Sequence, residues 1–123
     1  MSSRKWQQRI RDILNAISSI QKLTANMTFE DFIARKTIVK AVLYDFIVIG
    51  EAAKSIPTKV QKCYSEIPWL SMGDMQNVVT HEYFRVDLEI AWDSVQNDLA
   101  PLTIQLQSLI ECETDPLVRN IRD

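Results

Sequence analysis

Turn-forming residues are scarce in this chain. Its 123 residues include two glycines and four prolines. An all-β domain needs turn signals about every 8–12 positions, so the scarcity argues against one. Cysteine is scarce too. Cys63 and Cys112 lie far apart and form no C-x-x-C pair. The N-terminal stretch has no signal-peptide pattern, so both are expected to be reduced thiols in a cytoplasmic protein. There is one histidine, His81. With two distant cysteines it makes no zinc site, and neither metal nor cofactor is expected. Long apolar runs are also missing. The most apolar stretch, "AVLYDFIVIG", is broken by Asp45 and is about half the ~20 residues that a membrane span requires. Nor is there a basic excess, since the net charge is −2. RNA-binding proteins usually carry one, so any nucleic-acid contact must come from a local basic patch. The cluster of Arg4, Lys5, Arg9 and Arg11 reads as a solvated face.

What the chain has instead is helical periodicity. Its length suits one domain, able to bury roughly 65% of its unfolded surface without a disulfide or metal. Trp6, Ile10, Ile13, Leu14, Ile17, Ile20 and Leu23 recur at spacings of three and four, the stripe of an amphipathic helix. Ser2 or Ser3 is its candidate N-cap. Thr28, with Asp31 three residues on, is a variant capping box. A long helix should follow, with Ile38, Val42, Leu43, Phe46 and Ile49 facing a core. Gly50 within it costs roughly 1 kcal/mol against alanine, which suggests close approach of another backbone. Pro57 should end this helix. The stretch between Pro57 and Pro68 suits one helical turn. Another helix is expected from about Leu70 to Thr80 or Tyr83. Asp87 caps a last segment with Leu88, Trp92, Val95, Leu99, Leu102 and Leu106 as its apolar line. Pro101 should kink or divide it. The predicted fold is an all-α, up-and-down bundle of four long helices and a short one over residues 1–113. A polar tail, 114–123, is predicted to be mobile.

The lone histidine sits in "MQNVVTHEYF", residues 75–84. On a helix turning about 100° per residue, Asn77 and His81 share a face, while Gln76 and His81 lie about 140° apart. Gln76 and Tyr83, seven apart, line up two turns apart. A site using both Gln76 and His81 needs the helix to end near His81, or a second subunit. Taken alone, a histidine beside Val78 and Val79 reads first as a structural residue. Tyr83 and Phe84 read as core or interface aromatics. Glu82, Arg85 and Asp87 read as a solvated turn.

Longer stretches change that balance. "IPWLSMGDMQNVVTHEYFRVDLEIAW" and the upstream "IVKAVLYDFIVIGEAAKSIP" resemble the HepT-like HEPN proteins, toxin halves of HepT–MntA toxin–antitoxin pairs. The resemblance covers roughly residues 5–112, with "IGEAAK", "IPW" and the histidine motif in the family's order. It implies a homodimeric all-α bundle and metal-independent cleavage of RNA, tRNA or mRNA. The family motif is arginine, a polar residue, three more, histidine, any residue, tyrosine. On this chain those positions are Gln76, Asn77, His81 and Tyr83, so the arginine is replaced. The resemblance further implies an MntA-like nucleotidyltransferase antitoxin that adds AMP to Tyr83 (AMPylation). Phosphate beside His81 would repel RNA phosphate. Glu51 and Arg85 are candidate supporting residues, Glu51 to orient His81 and Arg85 to contact phosphate. For each, a solvated or surface-paired charge is the plain alternative.

The chemistry explains why Gln76 matters. Metal-free cleavage has the ribose 2′-OH attack the adjacent phosphorus. Histidine moves protons at neutral pH. The charge growing on phosphorus calls for a fixed cation, and arginine supplies one as a bidentate fork. Glutamine brings no charge. Losing one such donor costs on the order of 10²–10³ in rate, so the chain is expected to be an attenuated nuclease. Gln76 is then natural, with Arg85 or another basic residue substituting, or engineered, or an escape mutation. Three functions follow: an endoribonuclease toxin, a catalytically lapsed HEPN dimer that binds RNA or antitoxin, or a helical interaction protein whose His81 is structural.

Overall fold

Ile10, Ile13, Ile17 and Ile20 are the buried stripe of the first helix, α1 (Trp6–Leu23). The computed structural model describes residues 5–114, and of Phe84 and Thr114 only the backbone. Ser2 and Ser3, the expected caps, lie outside the described residues, as does the tail from 115 on. The cap position is Lys5, whose N–H donates to the Gln8 side-chain oxygen at 3.3 Å.

Thr28 caps as expected. Its hydroxyl accepts from the Asp31 N–H at 3.1 Å, and its own N–H donates to the Asp31 carboxylate at 3.0 Å. The backbone bond holds the Asp31 carboxyl below its ordinary pKa. The capped helix is short, however: α2 (Phe29–Ala34), separated by Arg35 from the long α3 (Lys36–Lys54). This turn sets Phe29 and Phe32 against Trp92, with ring centroids 6.5 and 5.1 Å away. Val42, Leu43, Phe46 and Ile49 of α3 are buried, and Ile38 is partly so. Asp45, which interrupts the apolar run, is half-buried. Burial pushes its carboxyl up from the ordinary value, and a hydrogen bond with Ser19 partly opposes this.

Pro57 precedes the one expected turn, α4 (Thr58–Cys63). Trp69 opens α5 (Trp69–His81), and its indole N–H donates to the Tyr64 carbonyl at 3.1 Å. That bond satisfies the polar edge of a buried ring. A 3-10 turn, Tyr83–Arg85, follows α5. The Asp87 carboxylate then accepts from the N–H groups of Glu89 and Ile90 at the start of α6 (Leu88–Asn97). Pro101 divides the last segment. Asp98 ends α6, and α7 (Leu99–Thr114) begins so that proline is its third residue. A missing N–H costs nothing there, because first-turn donors have no helical partner.

All elements among the described residues are helical. The sequence-based count of four long helices and one short is too low. The Thr28 turn adds α2, and Pro101 splits α6 from α7. One buried cluster joins all the α-helices, from Ile10 to Leu109. The most extensive helix contact is between α3 and α5. It centres on Gly50. A Cβ there would stand 2.7 Å from the Met72 carbonyl oxygen and 3.2 Å from Gln76 Cα, and would overlap Gln76 Cβ. Neither backbone can yield without separating the helices. Gly50→Ala should therefore destabilise the fold by roughly 2 kcal/mol, the overpacking cost outweighing alanine's helix propensity. Thermal melting checks this, and an unchanged or raised Tm would refute the close approach.

Candidate functional site

α5 carries the motif, and the Gly50 crossing fixes where each of its faces points. Gln76 lies in the seam with α3, its Cβ opposite Gly50. It is half-buried. Its side-chain oxygen is fully buried and accepts no hydrogen bond among the described residues. Leaving a buried acceptor unpaired costs roughly 1–3 kcal/mol. Arginine has five donors and no acceptor to strand.

The helix is continuous from Gln76 to His81, so the two keep their angular separation within one protomer. It ends at His81, which corrects the expected alignment of Gln76 with Tyr83. The Glu82 N–H still donates to the Val78 carbonyl at 2.9 Å. The chain then tightens, and Tyr83 opens the 3-10 turn instead of a further α-turn. Tyr83 and His81 are both exposed. The motif's histidine and tyrosine thus stand together at one helix end, while Gln76 is held in a packed seam.

Asn77, one turn before His81, is also exposed. Its side-chain oxygen accepts from the Lys54 ammonium at 2.5 Å. Lys54 is the last residue of α3. Its aliphatic stem lies over Gly73, where a Cβ would meet it at 3.1–3.2 Å. Sequence reasoning passed over Lys54. The signal was available: it follows Gly50 by four residues within "IGEAAK" and so shares the face that meets α5.

Glu51 and Arg85 do not join this group. Glu51 is exposed on α3. No hydrogen bond or ion pair among the described residues links it to His81. Arg85 lines a groove along α5 with Asp74, Val78, Asp87 and Ile90, and neither Asn77 nor His81 is among its lining residues. Val78 and Ile90 are exposed apolar residues, as is nearby Leu70.

The exposure of His81 makes its structural reading testable. A structural histidine would be buried or bonded, and its loss would be costly. Here His81→Ala should change stability by no more than ~0.5 kcal/mol, as for other exposed positions. Chemical denaturation measures it, and a loss above ~2 kcal/mol would support the structural reading.

Three comparisons with known proteins bear on this site. The family model described as "Ribonuclease HepT-like" matches residues 13–109. A Thermococcus cleftensis protein named "Probable ribonuclease HepT" is 35% identical over 106 residues, 86% of this chain and 96% of that one. Two Methanocaldococcus jannaschii proteins, provisionally named as RNases, are also similar. One is 34% identical over 100 residues, covering 81% of this chain and 83% of its own. The other is 32% identical over 111 residues, covering 90% and 92%. No solved structure matches. With the match spanning most of the helical core and the helix that carries His81, the chain belongs to the HepT-like ribonuclease family.

Proposed function

We propose that this chain is a metal-independent endoribonuclease, the toxin of a HepT–MntA type toxin–antitoxin pair, working as a cytoplasmic homodimer. The observation that carries this reading is the end of α5. His81 is exposed at the last helical residue, with Asn77 one turn before it and Tyr83 two residues after it. An imidazole in that position is open to a polyanion and has a polar neighbour on its own face.

The chemistry follows from those groups. The ribose 2′-oxygen attacks the adjacent phosphorus while His81 accepts the 2′-hydroxyl proton. The bond from phosphorus to the 5′-oxygen breaks, and that oxygen takes a proton from water or from the His81 imidazolium just formed, leaving a 2′,3′-cyclic phosphate and a 5′-hydroxyl. Asn77 holds the surrounding polar groups in place. Gln76 adds no charge to the phosphorane, so the rate lies below what arginine would give. The exposed apolar residues Val78 and Ile90 of the Arg85 groove, with Leu70 exposed earlier on α5, suit a second copy. Such a pairing would bring two motif helices to one cleft. The uncharged Gln76 also favours a second reading, a lapsed HEPN dimer that binds RNA or its antitoxin without cutting.

Restoring the cation separates the two readings. Gln76→Arg, expressed without a partner, should raise RNA cleavage by on the order of 10²–10³ and arrest growth. Intact growth and intact cellular RNA would count against Gln76 as the attenuating residue.

Tyr83 is the regulatory position in this reading. An MntA-like nucleotidyltransferase with ATP should add AMP to it, placing phosphate charge and bulk beside His81. Intact-mass analysis should show the added AMP on the unchanged protein and none on Tyr83→Phe. An unmodified wild-type mass, or a modified phenylalanine variant, excludes this switch.

A further inference from the structure

We propose that Lys54 supplies the positive charge at this site, its ammonium contacting the RNA phosphate that His81 serves. This rests on the ribonuclease reading above and adds a residue to it.

Four features carry the inference. The first is position. The ammonium is bonded to the Asn77 side chain, which lies on the same face of α5 as His81 and one turn away, about 6 Å between Cβ atoms. A phosphodiester whose 2′-hydroxyl meets His81 has its non-bridging oxygens within reach of a group beside Asn77. The second is charge. Among the described residues, the partner of Lys54 is a neutral amide, and no ion pair takes its ammonium. A lysine paired to a carboxylate would present little net charge to RNA. This one keeps its charge, and two of its three N–H donors remain for phosphate oxygens.

The third feature is preorganisation. The stem of a surface lysine is normally free. Here it is laid across Gly73, where an added Cβ would crowd it at 3.1–3.2 Å. Gly73 thus makes room for the stem, and Asn77 holds its end. Fixed donors stabilise developing charge without reorganising at the moment of reaction. The fourth is the vacancy of charge at Gln76. The residue nearest the seam has a buried, unpaired oxygen and no charge. Arg85 lines the groove containing Asp74 and Asp87. Lys54 is in direct contact with a motif residue, Asn77.

The test uses the full chain, an end-labelled mixture of RNA oligonucleotides, and single-turnover cleavage rates. Lys54→Met keeps a stem over Gly73 and removes the charge. It should leave the melting temperature unchanged and lower the rate about 100-fold, the usual cost of losing one charge-stabilising donor. Lys54→Arg should stay within about tenfold of the unchanged protein, since its charge is retained. In the Gln76→Arg background, Lys54→Met should cost less than tenfold, because the guanidinium then provides the charge and the two changes are not additive. Equal rates for Lys54→Met and the unchanged protein would overturn the proposal. So would an equal loss in both backgrounds, which is what a packing role predicts. If the unchanged chain does not cut but Gln76→Arg does, Lys54 supplies no useful charge and the ribonuclease reading stands. If neither cuts, the ribonuclease reading fails and this inference fails with it.

Discussion

The backbone contact between α3 and α5 at Gly50 sets the geometry of the candidate site. Glycine there lets the two helices touch without a Cβ between them. Because the contact is backbone against backbone, it fixes both the separation and the rotation of α5. Rotation is what matters for the site. It turns Gln76 into the seam, leaves Asn77 at its edge and leaves His81 exposed at the helix end. The same contact brings the end of α3 over Gly73, so that Lys54 reaches Asn77. A looser crossing would allow α5 to roll, and none of these positions would be defined.

Two local devices support that contact. Trp69 pins the start of α5 through the Tyr64 carbonyl, and the 3-10 turn stops the helix directly after His81. The helix therefore has a fixed beginning and a fixed end, with the motif against the end. Stopping there has a chemical consequence. It removes Tyr83 from the helical face of Gln76 and places it next to the imidazole in the chain. A modification of the phenol would act on His81 through proximity, not through the helix.

The electrostatics give RNA little general attraction. Net charge is −2, so long-range attraction contributes little and the positive charge must be local. Gln76 contributes none, and its buried oxygen is a cost without a partner. Its position suits a donor-only side chain better, because arginine would leave no acceptor stranded. Lys54 approaches the motif from a different helix. The proposed charge at the site would therefore belong to the α3–α5 pair, not to α5 alone.

Much of the architecture was legible from residue types. The isoleucine stripe of α1 and the Thr28–Asp31 cap follow from local rules, because periodicity and capping act over one or two turns; Gly50 signalled a close approach without naming the helix that makes it. The family could be read from "IGEAAK" and the histidine motif, whose order along the chain carries the information. The helix count was underestimated at Arg35, which separates α2 from α3, and at Pro101, which splits α6 from α7. The sequence by itself determined an all-helical chain, its apolar faces and the residues of the motif. Only the tertiary structure decided that Gln76 is in a seam, that Arg85 faces another groove and that Lys54 meets Asn77. Those facts depend on how two helices rotate against each other. That rotation is set by contacts between residues over twenty positions apart, which no local periodicity encodes.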